Sequence, residues 1–138
     1  MALRRKSREF ALQMLFQWDM TRQDPKRLEK TFWKSARAEE RTRRFADQLF
    51  EEAVALLPEI DALIASLSEN WQLDRLASVD RGILRLAISE LRLGTAPPKV
   101  VIDEALELAK KFSSAESPAF LNGVLDAAYK QLPGKPGQ

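Results

Sequence analysis

The sequence predicts an all-α fold, a helical bundle of about seven helices in two packed subdomains. Apolar residues recur at three- and four-residue spacing through almost every segment. No segment alternates between apolar and polar residues for long enough to form a strand. Apolar residues make up 45% of the 138 residues, which is enough for the core of one ordinary domain.

Four helices are predicted in the first half of the chain. Asp24 is a suitable N-cap, and Pro25 suits the first position of the helix that follows. Pro58 is expected to end or kink the long third helix because proline lacks a backbone N–H. The predicted helices cover about residues 4–20, 25–36, 38–57 and 59–67.

Three more helices are predicted in the second half, over about residues 79–93, 99–112 and 117–132. Ser78 is the expected N-cap of the first, and Gly94 is expected to end it. Gly123 lies inside the last helix, where it is expected to allow close approach by another helix or by RNA. A connector near residue 70 separates subdomains 1–70 and 71–132 of a single domain, and the tail 133–138 is predicted to be disordered.

The composition excludes several classes of function. The chain has no Cys and no His, so zinc sites, Ser-His-Asp triads and imidazole acid–base catalysis are not expected. No cofactor and no enzymatic activity are predicted. No run approaches the ~18 apolar residues of a membrane-spanning helix, and the N-terminus lacks the features of a signal peptide. A cytoplasmic location without membrane association is therefore expected.

Charge is distributed unevenly along the chain. Residues 1–44 carry a formal net charge of +7, whereas residues 45–138 carry −5. Four cations, Arg4, Arg5, Lys6 and Arg8, run directly into the apolar pattern of the first helix. Cations held on a rigid helix are suited to contact phosphates at fixed positions, so this pattern predicts binding to a nucleic-acid backbone. The alternative is a solvated terminus with no ligand.

The motifs together resemble the NusB family of bacterial transcription antitermination factors. Three regions carry the resemblance in order along the chain, and between about residues 24 and 71 it is weak. They read RRKSREFALQMLFQWD, SVDRGILRLAISEL, and PPKVVIDEALELAKKF followed by SPAFLNGVLDAAY.

The resemblance implies an all-α, non-enzymatic protein with two helical subdomains. Proteins of this family bind boxA, a short single-stranded RNA element, together with a small-subunit ribosomal protein also known as NusE. The pair joins an antitermination complex with RNA polymerase. The same partners are therefore expected for this chain. The alternatives are a protein–protein scaffold or a homodimer with only generic polyanion binding.

The resemblance also implies which residues bind RNA. The N-terminal cations match the family's arginine-rich motif, and guanidinium groups contact phosphates and stack on unpaired bases. Near the C-terminus, the rings of Phe112 and Phe120 are expected to stack on bases, and the Glu116 carboxylate is expected to accept a hydrogen bond from a base amino group. The alternatives are a core Phe112, a Glu116 that only starts a helix, and an Arg85 paired with a nearby carboxylate. The expected RNA-binding residues are Arg4, Arg5, Lys6, Arg8, Arg85, Phe112, Glu116 and Phe120.

Two residues are expected to face the protein partner. Phe16 lies on a second apolar strip of the first helix, which indicates either full burial or a partner surface. A Tyr is common at this position in the family. Asp80 suits the first turn of its helix through the helix dipole, and the matching family position contacts the ribosomal protein.

Overall fold

The computed structural model describes residues 2–67 and 76–132, which form seven helices and no strand. The fold class predicted from the sequence is confirmed, and the predicted helix ends differ from the observed ones by at most two residues. The helices are α1 (Ala2–Thr21), α2 (Pro25–Ser35), α3 (Glu40–Ala55), α4 (Leu57–Leu67), α5 (Ser78–Leu93), α6 (Pro98–Phe112) and α7 (Ser117–Gln131).

The first compact unit contains α1, α2 and α3 and ends at Ala55. The helix α1 packs along α3, and α2 packs against both. Asp24 caps α2 as predicted, because its side chain accepts a hydrogen bond from the Arg27 backbone N–H at 3.1 Å. The buried apolar residues include Ala11, Met14, Leu15, Leu28, Phe32, Ala46, Leu49 and Phe50.

The second compact unit contains α4 to α7 and starts at Leu56. The helix α5 contacts α4, α6 and α7, and every residue from Gly82 to Leu91 is buried, so α5 is its central helix. The predicted boundary near residue 70 differs from this division because α4 packs with α5 and α7. The predicted connector around that boundary and the predicted disordered tail lie outside the described residues.

Three local predictions have a clear outcome in the second unit. Gly94 ends α5 in the left-handed conformation, with φ of 71°, as expected for a glycine C-cap. Ser78 is the first residue of α5 and not its cap, since Ala77 takes the cap position without a side-chain hydrogen bond. Pro58 lies in the first turn of α4, where its missing N–H costs little, and the preceding helix ends at Ala55.

Candidate nucleic-acid interface

The first turns of α1 present three exposed cations, Arg4, Arg5 and Lys6. The Lys6 side chain also contacts two residues of α1, with Nζ 3.8 Å from Glu9 Oε1 and 5.2 Å from the centre of the Phe10 ring. These three side chains follow one another at the start of one helix, so their charges are concentrated on a small part of the surface.

Two contacts with α3 hold this end of α1 in place. The Ser7 hydroxyl is fully buried and donates a hydrogen bond to the Thr42 carbonyl at 2.9 Å. The Arg4 guanidinium carbon lies 4.4 Å from the centre of the Phe45 ring. A cation–π contact at an exposed site contributes about 0.5–1 kcal/mol. The basic cluster is therefore anchored to the first unit and is not a frayed terminus.

Arg8 and Arg85, both expected to bind RNA, are only 3% exposed, so neither residue presents an open cationic surface in this structure. Arg85 donates two hydrogen bonds to the carboxylate of Asp61, from Nε and Nη2, each 2.9 Å long. This bidentate pair joins α5 to α4. Local pairing of Arg85 with a carboxylate, the alternative considered from the sequence, is therefore what the structure contains.

Asp80 organises the loop between α6 and α7. Ser113 Oγ donates to its Oδ1 at 2.6 Å, and Ser117 Oγ donates to its Oδ2 at 3.0 Å. Ser114 Oγ lies 2.9 Å from Ser117 Oγ and extends the network. Because Asp80 is buried and both of its oxygens accept hydrogen bonds from this loop, the geometry favours a positioning role over direct contact with a partner.

The loop that Asp80 holds presents the C-terminal candidate residues. Phe112 ends α6 and is 37% exposed, with Lys111 Nζ 5.5 Å from its ring centre. Glu116 is exposed immediately before α7, and Phe120 is half-buried one turn later. The structure thus brings these three residues together around one loop. A Cβ added at Gly123 would meet nothing within 4 Å, so this glycine does not serve close helix packing.

Phe16 is exposed on α1, three turns beyond the basic cluster. Its exposed fraction is 40%, whereas Leu12, one turn earlier on the same strip, is buried. Full burial of the strip, the commoner explanation for such a pattern, is therefore wrong at Phe16. Met20 is also exposed, so the apolar strip continues toward the end of α1.

A cluster of ionisable groups between α2 and α3 was not anticipated from the sequence. Burial, together with a hydrogen bond to Glu51, raises the pKa of Glu29 to about 8. The same hydrogen bond lowers the pKa of Glu51. Lys26 Nζ lies 2.8 Å from Glu51 Oε2, which raises the pKa of Lys26. Burial raises the pKa of Asp47, although its Oδ1 accepts a 2.8 Å hydrogen bond from Trp33 Nε1.

Sequence reasoning also missed the partners of the buried polar residues. No sequence pattern marks Asp61 as the partner of Arg85, or Ser113 and Ser117 as the donors to Asp80. Each of these contacts forms only when the helices pack. The run Arg41, Arg43, Arg44 was visible only as part of the N-terminal charge excess. Its arrangement on α3 required the structure.

Within residues 2–67 and 76–132, no three carboxylates are grouped so that they could hold a metal ion. No helix in those parts of the chain is long and apolar enough to cross a membrane.

The chain is similar to known proteins over nearly its whole length. The family model described as "NusB family" matches residues 5–130. The transcription antitermination protein NusB of Koribacter versatilis strain Ellin345 is 50% identical over 131 residues, covering 94% of this chain and 90% of the relative. That of Solibacter usitatus strain Ellin6076 is 43% identical over 135 residues, covering 96% of this chain and 92% of the relative.

Solved structures agree with the sequence relatives. NusB of T. maritima superimposes with a TM-score of 0.83 at 34% identity, covering 94% of this chain and 92% of that one. A structure of the antitermination factors NusB and NusE in complex with double-stranded RNA contains a chain with a TM-score of 0.82 at 32% identity, covering 94% and 98%. With the seven helices of its described residues, its anchored basic helix and these similarities, the chain belongs to the NusB family.

Proposed function

We propose that this chain is a cytoplasmic, non-enzymatic RNA-binding adaptor in transcription antitermination. In this proposal it binds boxA-type single-stranded RNA together with the ribosomal protein NusE and joins an antitermination complex with RNA polymerase. The NusB–NusE complex among the similar structures supports RNA and NusE as partners. The relatives named as antitermination proteins support the process.

The observation that carries the proposal is the anchored basic end of α1. Arg4, Arg5 and Lys6 are exposed, and the Ser7–Thr42 hydrogen bond fixes the helix that bears them. Cations carried by a helix that is already fixed need no backbone ordering when they bind phosphate, and they release counterions from the RNA. The buried Arg8 has a supporting role in the same helix and makes no direct phosphate contact in this proposal.

The loop between α6 and α7 is the proposed second RNA contact. The exposed ring of Phe112 is available for stacking on an unpaired base, a contact worth roughly 1–3 kcal/mol. Glu116 offers a carboxylate to a base amino group, and Phe120 adds a partly exposed ring. Asp80 supports this contact by holding the loop, and Arg85 supports it by joining α5 to α4.

Phe16 is the proposed contact for the protein partner. An exposed aromatic side chain followed by the exposed Met20 gives α1 an apolar strip separate from its basic end. Phe lacks the hydroxyl of Tyr, so this contact would depend on apolar burial alone.

The test is a titration of labelled RNA at several salt concentrations. The probes are a boxA-like single strand, a scrambled single strand and a boxA-like duplex, each with and without purified NusE. The double variant Arg5→Gln/Lys6→Gln removes two exposed cations of α1. We expect the wild type to prefer the boxA-like strand and NusE to strengthen that preference. The double variant should flatten the log–log salt dependence by about 1.4, given ~0.7 per phosphate for single strands.

The matched control is Lys30→Gln/Lys34→Gln, which removes two exposed cations from α2 of the same unit. Equal losses in both double variants would indicate generic polyanion attraction and favour the scaffold alternative. Equal binding to the boxA-like and scrambled strands, unchanged by NusE, would contradict the adaptor function. Mass measurements over a concentration series in the same buffer would detect a homodimer that competes with RNA.

A further inference from the structure

The helix α3 has two flanks with different chemistry. Arg43 and Asp47 lie on the flank that faces α2, since Arg43 lies 5.6 Å from the Trp33 ring centre and Asp47 accepts the Trp33 hydrogen bond. The other flank has a strip at three- and four-residue spacing, and we call it the α3 basic strip. Its members are Arg41, Arg44, Phe45 and Gln48.

The α3 basic strip adjoins the basic end of α1. Phe45 carries the Arg4 guanidinium at 4.4 Å from its ring centre, and Arg41 lies one helical turn before Phe45 on the same flank. The Ser7–Thr42 hydrogen bond joins the two helices at the same level. The exposed Arg41 and Arg44 thus lie on α3 within four residues of the ring that carries the Arg4 guanidinium.

Arg41 and Arg44 lack local neutralisation. Both are exposed, and neither forms an ion pair with any residue that the structure describes, whereas Arg22 and Lys26 of the same unit do. Glu40 directly precedes Arg41, lies four residues before Arg44 and is exposed in the first turn of α3. Farther along the helix, Glu52 accepts a hydrogen bond from Gln48 at 3.1 Å.

Like charges gathered on one surface repel one another, and a bound polyanion relieves that repulsion. Of the four acidic side chains of α3, Asp47 accepts a hydrogen bond from Trp33, Glu51 from Lys26 and Glu52 from Gln48, and Glu40 is exposed. Arg41 and Arg44 therefore lie beside one exposed carboxylate, Glu40, which forms an ion pair with neither of them among the described residues.

We propose that Arg41 and Arg44 form a second phosphate-binding site next to Arg4, which extends the RNA path from the start of α1 across the first turns of α3. This inference rests on the RNA-binding function proposed above. Phe45 acts as a positioning residue, because its ring holds the Arg4 guanidinium of α1 against the helix that carries Arg41 and Arg44. The site is electrostatic and contributes affinity without selecting a base.

The test compares Arg41→Gln/Arg44→Gln with the wild type in RNA titrations at several salt concentrations. Loss of two phosphate contacts is expected to flatten the log–log salt dependence by about 1.4. If the two proteins bind equally at 1 M salt, the variant should then bind about 25-fold more weakly at 0.1 M salt. The variant Arg41→Lys/Arg44→Lys keeps both charges and should retain the wild-type salt dependence. Both residues are exposed, so circular dichroism should show an unchanged helical fold.

Three outcomes separate this inference from the function on which it rests. If Arg5→Gln/Lys6→Gln weakens binding and Arg41→Gln/Arg44→Gln does not, the α3 site is refuted and the adaptor function stands. If Lys30→Gln/Lys34→Gln weakens binding as much as the α3 variant, the effect is one of net charge and the site is also refuted. If the wild type binds no RNA at all, both proposals fail together.

Discussion

Replacing Glu29 with Gln is expected to change how the stability of the protein depends on pH. Glu29 is 6% exposed, and as a carboxylate its Oε2 has no hydrogen-bond partner. As a protonated carboxyl group, the side chain is able to donate to Glu51. A glutamine amide is also a donor and carries no charge, so Gln reproduces the protonated form at every pH.

The size of the change in the free energy of unfolding follows from the raised pKa of Glu29. The folded protein keeps the proton up to about pH 8, whereas the ordinary value of 4.5 applies in the unfolded chain. Between these values the folded state binds more protons, so the free energy of unfolding falls as pH rises. For a group with these two pKa values, the loss between pH 5 and pH 8 is roughly 3 kcal/mol. The stabilisation is fully present below pH 4.5 and is lost through pH 8.

Urea unfolding of the wild type and Glu29→Gln at pH 5, 7 and 9 measures this difference. The two proteins should be similar at pH 5, and the variant should be more stable at pH 9. Lys26, Asp47, Arg43 and Glu51 surround residue 29 in both proteins, so the only group that the substitution removes is the Glu29 carboxyl itself. Glu39→Gln, which removes an exposed carboxylate of the same unit, is the control for the loss of one negative charge. Parallel pH profiles for the wild type and Glu29→Gln would refute the reasoning.

Two further substitutions test the second unit. Asp61→Asn should lower the free energy of unfolding by roughly 2–4 kcal/mol, because it removes the charge opposite the buried Arg85 guanidinium. Urea unfolding measures this difference, and a loss of less than about 0.5 kcal/mol would contradict the prediction. Gly123→Ala should raise the thermal midpoint, adding up to ~1 kcal/mol of helix stability without a clash; a lower midpoint would show that the added Cβ is not accommodated.

Local signals in the sequence predicted the helices well. Asp24 followed by Pro25 specified one helix start, and Gly94 specified one helix end, because capping depends on side chains within a few residues. Ser78 shows the limit of such reasoning. A favourable cap residue was available, but the chain enters α5 one residue earlier, at Ala77.

The candidate site was predicted only in part, for a different reason. Helical spacing indicated which residues lie on one face, but not what covers that face. Phe16 and Leu12 share a strip, yet one is exposed and the other is buried. Arg5 and Arg8 look alike in the sequence, yet only Arg5 is exposed.

The sequence by itself determined the all-α class, the order of the helices and the concentration of positive charge near the N-terminus. These properties depend on composition and on spacing along one helix. Only the tertiary structure decided that Arg85 pairs with Asp61, that Asp80 holds Ser113 and Ser117, and that Arg4 lies over the ring of Phe45. Such partners are distant in sequence, and their contacts exist only after the helices pack.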